Sequence, residues 1–131
     1  MKLYVEGDGS ASVREAVERA DSVFTVRISY AEARAAFARQ RREGGLTPRE
    51  LRSVVRKLDQ DWSRYGIVEV TESLVRRAGV LAERRSLRGY LAVQLAAALE
   101  LREGGAAVEF ACSDVRLGRA ARSERLAVSD R

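Results

Sequence analysis

Two carboxylates occupy equivalent places in this 131-residue chain, each opening a helix that follows a short apolar strand. Val23-Phe24-Thr25-Val26 runs into Ser29-Tyr30-Ala31-Glu32, and Ala107-Val108-Glu109-Phe110-Ala111 runs into Ser113-Asp114. In an open α/β sheet, groups just beyond the carboxyl ends of strands share one crevice. Carboxylates delivered there from distant parts of the chain suit a hard divalent cation, which takes oxygen ligands and serves phosphoryl chemistry. Each acid also has a plainer role. Glu32 forms a capping box with Ser29, and Asp114 is a helix N-cap. Either role coexists with ligation, because the positive end of a helix dipole favours a charged carboxylate. Histidine is absent, which excludes imidazole zinc sites, Ser-His-Asp triads and histidine bases.

The elements that position these acids alternate. Ser10 or Ser12 caps a helix to about Ala20, with Val13 and Val17 on one face. After the strand at Val23–Val26, a helix runs from Ser29 to about Arg42. Thr47-Pro48-Arg49-Glu50 opens the next with a capping box and a proline at its first position. Leu51, Val54, Val55, Leu58 and Trp62 give that helix one apolar face for burial. Ile67–Val70 reads as a strand, and Thr71 caps a helix with Leu74, Val75 and Leu81 inward. A nearly all-apolar helix, Tyr90 to Leu101, precedes the strand Ala107–Ala111. A short helix starts near Asp114, and Leu126-Ala127-Val128 is a last edge strand. Strands separated by helices predict a parallel sheet in a three-layer α/β/α domain spanning residues 1–131. The stripes of the helices near 30–42 and 48–64 exceed what a small sheet covers, which predicts an exposed groove for a partner helix or second subunit.

Composition narrows the partners. Net charge is +5, and all but two of the 24 basic residues are arginine, whose planar fork suits phosphate; the plainer reading is a solvated arginine-rich surface. No apolar run is long enough for a membrane span, nor is there a signal-peptide core near Met1. The single Cys112 precludes an internal disulfide, reads as a small apolar residue and fits a cytoplasmic location. Asp8, in Gly7-Asp8-Gly9-Ser10, reads as a turn residue.

Three segments resemble motifs of the PIN-domain family: Val26-Arg27-Ile28-Ser29-Tyr30-Ala31-Glu32, Leu87-Arg88-Gly89-Tyr90-Leu91-Ala92-Val93-Gln94, and Ala111-Cys112-Ser113-Asp114-Val115-Arg116-Leu117. In size and helical content the chain is similar to the VapC-type toxins of toxin–antitoxin pairs. That resemblance implies a Mg²⁺- or Mn²⁺-dependent endoribonuclease, a homodimer, and a cognate antitoxin as partner. It assigns Glu32 and Asp114 to metal binding and catalysis. Ser113, Arg116 and Arg119 lie near the acid-bearing helix starts, as does Arg34, and are candidates for contact with RNA; the plainer roles are capping for Ser113 and a solvated surface for the arginines.

Two departures from the pattern stand out. The family's acid after Gly-Tyr is replaced by Leu91, and Met1-Lys2-Leu3-Tyr4 resembles the family's first helix region, as though the opening strand and its Asp were missing. Two-metal cleavage needs several carboxylates to offset the repulsion of closely spaced cations. With only Glu32 and Asp114 left, weakened metal binding and impaired cleavage are expected. The alternative is a non-catalytic PIN-like module that binds antitoxin or RNA.

Overall fold

The computed structural model describes residues 1–6 and 11–129. Five strands form one all-parallel sheet in the order β3-β2-β1-β4-β5: β1 (Lys2–Val5), β2 (Ser22–Val26), β3 (Gly66–Val68), β4 (Val108–Ala111) and β5 (Ala127–Ser129). Six helices connect and cover it: α1 (Ala11–Arg19), α2 (Ser29–Arg42), α3 (Pro48–Trp62), α4 (Glu72–Arg85), α5 (Gly89–Glu103) and α6 (Val115–Ser123). The result is the three-layer α/β/α architecture expected.

The opening strand is present, contrary to the expectation from the family pattern. Lys2–Val5 lies at the sheet centre, with Leu3 opposite Val23 on one side and Glu109 on the other. A central parallel strand is buried on both faces and needs a continuous apolar run rather than alternation. Leu3-Tyr4-Val5 supplies it, and all three are buried. Leu3 and Val5 face α1, packing with Val13, Ala16 and Ala111. Tyr4 faces the main core, which draws Leu74, Ala78 and Leu81 from α4, most of α5, and Leu117, Ala120 and Ala121 from α6. The Tyr4 ring stacks on Phe110 at 5.5 Å between centroids.

Helix termini follow local chemistry where nothing competes for the capping group. Thr47 Oγ1 accepts from the Glu50 N–H at 3.1 Å, Glu50 Oε1 accepts from the Thr47 N–H at 2.8 Å, and Pro48 opens α3. Thr71 caps α4 as expected. The box predicted at Ser29 does not form: Ile28 is the N-cap residue and gives no side-chain bond, because the Ser29 hydroxyl is engaged below the sheet edge. Val75 points outward, about half exposed, rather than inward with Leu74 and Leu81. The α3 stripe is likewise only half covered, with no fully buried residue. Its main neighbour is α2: Tyr30 packs edge-on against Trp62 at 5.4 Å, and its hydroxyl donates to Asp59 Oδ1 at 2.6 Å. Asp8 and Ser10 fall outside the described residues, and Ser12 lies inside α1. Among the described residues, no helix is long and apolar enough to cross a membrane.

Candidate active site at the carboxyl edge of the sheet

Strand register aligns Val5 with Ala111, and the adjacent pair Tyr4–Phe24 places Val5 beside Thr25. The chain leaves all three strands at one edge. The Glu6 N–H donates to the Ala111 carbonyl at 2.8 Å, carrying the β1–β4 ladder one residue further and setting Glu6 beside Cys112. Glu6 is an acid that the sequence reading passed over. Its Oε1 is buried.

Two half-buried groups feel the charge of the carboxylates. Burial, and then the nearby charge of Glu6 with a further contribution from Glu32, pushes the Tyr90 phenol up to about 12. Burial, followed by Glu6 and Asp114, pushes the Cys112 thiol up to about 12. Glu6 therefore acts on both groups, Glu32 on one and Asp114 on the other. Glu6 follows β1, Glu32 lies in the first turn of α2 and Asp114 caps α6, so each stands at the carboxyl end of a strand or just beyond it. At this pKa Cys112 stays a neutral thiol at pH 7, and it packs against the main core. That fits the small apolar role read from the sequence and is poor chemistry for a nucleophile.

A buried polar relay supports the edge from beneath. Thr25 Oγ1 donates to the Val5 carbonyl at 2.9 Å and lies 2.8 Å from Ser29 Oγ. A hydroxyl has one proton to give, so Ser29 donates to Thr25. Gln94 Nε2 in turn donates to Ser29 Oγ at 3.0 Å, and Gln94 Oε1 accepts from the Tyr4 hydroxyl. The chain of donors runs in one direction, from Gln94 through Ser29 and Thr25 to the β1 backbone. Gln94 is wholly buried. It is the one polar side chain of the apolar stretch Leu91–Leu99, and that isolation is the sequence signal of its role.

The predicted residues separate into groups. Glu32 is half-buried in the first turn of α2. Asp114 is the N-cap of α6, its Oδ1 accepting from the Leu117 N–H at 2.8 Å. Ser113 is exposed at the same turn. Leu91 is half-buried in the first turn of α5 and packs against the main core. Arg34 belongs elsewhere: it donates to the Tyr30 hydroxyl at 3.0 Å and lines a groove between α2 and α3. Arg116 and Arg119 line a basin with Arg84 and Arg85 on the outer side of α6.

Sequence comparison decides the family. The chain is 34% identical over 108 residues to ribonuclease VapC45 of Mycobacterium tuberculosis, covering 82% of this chain and 75% of that protein. It belongs to the VapC ribonuclease family of PIN-domain toxins. No family model matches the chain. The fold agrees with solved structures of low sequence identity. PAE2754 from Pyrobaculum aerophilum superposes with a TM-score of 0.69 at 17% identity, covering 98% of this chain and 90% of that one. A toxin–antitoxin complex from Klebsiella pneumoniae gives a TM-score of 0.56 at 15% identity, covering 85% and 84%.

Leu91 stands where the family pattern reads an acid after Gly-Tyr. Leu91 offers no oxygen ligand, and among the described residues no three Asp, Glu, Cys or His side chains are placed to hold one metal ion. Asp114 already commits one oxygen to its cap. As arranged, the described residues do not form a preassembled divalent-metal centre.

Proposed function

We propose that this chain is a cytoplasmic PIN-domain toxin of one domain over residues 1–131, whose acid edge faces RNA phosphodiesters but cleaves them poorly as it stands. The observation that supports this reading is the kinship with VapC ribonucleases, together with Glu6 and Glu32 acting on Tyr90, Glu6 and Asp114 acting on Cys112, and Leu91 packed against the core where the family pattern has an acid. Glu32 and Asp114 are the acids proposed for metal binding and catalysis. Mg²⁺ or Mn²⁺ is the cation that the resemblance implies, and its binding here is weak. Leu91 also favours the second reading, a non-catalytic module that binds antitoxin or RNA. The test is cleavage of a mixed RNA pool with Mn²⁺, with and without chelator. No chelator-sensitive cleavage above the level of Asp114→Ala is expected from the unmodified chain. Chelator-sensitive cleavage that survives Asp114→Ala overturns both the site and the reading.

The antitoxin is proposed to dock in the groove between α2 and α3. It encloses about 690 Å³, with Ala35, Ala38, Leu51 and Val55 offering apolar surface and Arg52 and Arg56 among its lining. An amphipathic helix with acidic flanks matches that pattern, and the Klebsiella neighbour is itself a toxin–antitoxin complex. Homodimerisation is part of the same reading, checked by sedimentation. Val55→Asp is expected to weaken binding of the cognate antitoxin at least about tenfold, equivalent to about 1.4 kcal/mol. Val80→Asp, on exposed α4 surface, is expected to leave it unchanged. Equal affinities for the two variants in calorimetry would remove the groove from the interface.

A further inference from the structure

The outer face of α6 carries a feature that the acid edge does not use. Arg116, Arg119, Ala120 and Ser123 form a stripe at helical spacing, and with Arg84, Arg85 and Ser86 from the end of α4 they enclose a basin of about 450 Å³. Its lining contains no acidic residue. Two of its arginines are braced from outside. Arg84 and Arg85 both pair with Glu124 Oε2, at 3.0 and 2.8 Å, and that carboxylate is mostly buried. Among the described residues Arg116 and Arg119 are exposed and have no ion pair. The lining thus carries four guanidinium groups, two of them paired with Glu124 from outside it, leaving a local excess of positive charge.

We propose that this basin is a subsite for the RNA backbone, holding phosphates of a single strand on Arg116 and Arg119 with Arg84 and Arg85 as the second wall. The proposal rests on the reading of RNA as the substrate. Arginine forks match phosphate oxygens in two-point geometry, and a positively charged groove that follows the backbone is how proteins hold single strands regardless of sequence. The stripe also leads to the acid edge. Arg116 lies in the first turn of α6, whose N-cap is Asp114, so the basin reaches the end of the helix that carries that carboxylate. The division of labour is positional: the basin carries affinity and register, and the edge carries chemistry.

The experiment measures binding without cleavage. A labelled, mixed-sequence 2′-O-methyl oligoribonucleotide is titrated in EDTA by fluorescence anisotropy across a salt series. The protein is the full chain, its R116Q/R119Q variant, or a charge-matched control, R41Q/R42Q, on the exposed end of α2. R116Q/R119Q is expected to bind at least about tenfold more weakly than the control at low salt. Its log–log salt slope should be flatter by about 1.4, the value for two lost single-strand phosphate contacts. Equal affinity and slope for the two variants would overturn the subsite. Circular dichroism of both variants shows whether a loss reflects unfolding. R116K/R119K, which keeps the charge, is expected to retain the salt slope; losing it equally would also overturn the proposal. Failure of the ribonuclease reading is seen separately, in the Mn²⁺ cleavage assay, because EDTA binding does not depend on the acids.

Discussion

Leu91→Asp is expected to bind Mn²⁺ at least about tenfold more tightly than the unmodified chain, a gain of about 1.4 kcal/mol. It is also expected to gain chelator-sensitive cleavage of a mixed RNA pool. The position lies in the first turn of α5, where the helix dipole favours a carboxylate by about 0.3–1 kcal/mol. The substitution forfeits apolar packing on the core, which costs about 1–2 kcal/mol of stability. In the proposed site the new acid joins Glu32 and Asp114 and supplies the oxygen that leucine cannot. Turnover should stay modest, because Glu6 stands after β1 where the family has a shorter Asp. Asp114→Ala or Glu32→Ala in the Leu91→Asp background should abolish the gain in both metal affinity and cleavage. Isothermal titration with Mn²⁺ checks the first readout and gel analysis of the RNA pool the second. If Leu91→Asp leaves metal affinity unchanged while the protein stays folded, the edge is not a damaged metal site.

Gln94→Leu is expected to destabilise the protein by about 2–4 kcal/mol, the cost of leaving buried donors and acceptors without partners. Gln94 receives the Tyr4 hydroxyl and donates to Ser29, so leucine orphans a buried phenol on the central strand and disrupts the relay to β1. Tyr4→Phe alone should cost less, since the amide keeps its bond to Ser29. The double variant should recover about 1 kcal/mol relative to the sum of the singles, because removing both partners leaves neither unsatisfied. Urea midpoints for the four proteins give the coupling directly. A Gln94→Leu unfolding free energy within about 0.5 kcal/mol of the unmodified chain would show that the relay contributes little.

Much of the architecture was written in local chemistry. The capping pair Thr47 and Glu50, the caps at Thr71 and Asp114, and Pro48 at a helix start each depend on neighbours within four residues. The strands at Val23 and Val108 were bounded by turn residues on both sides. Their alternation with helices fixed a parallel sheet, because parallel strands require a crossover between them. The family was legible in three motifs, and sequence comparison confirms it.

What escaped was decided by groups far apart in sequence. Lys2–Val5 is a strand because β2 and β4 flank it and both its faces are buried, and a three-residue apolar run cannot announce that alone. Ser29 had the right spacing for a cap, yet Thr25 and Gln94 claim its hydroxyl, the latter from 65 residues away. Val75 sits beside Leu74 in sequence but one residue turns it about 100° around the helix, away from the core. Glu6 comes to the carboxyl edge only because a ladder hydrogen bond to Ala111 extends β1 by one residue. The sequence by itself determined the helices, most strands and the two acids at helix starts, since these follow from interactions within a turn or two. The centre of the sheet, the third acid and the relay beneath them came only from tertiary packing, which pairs strands and buries polar groups according to partners no local window contains.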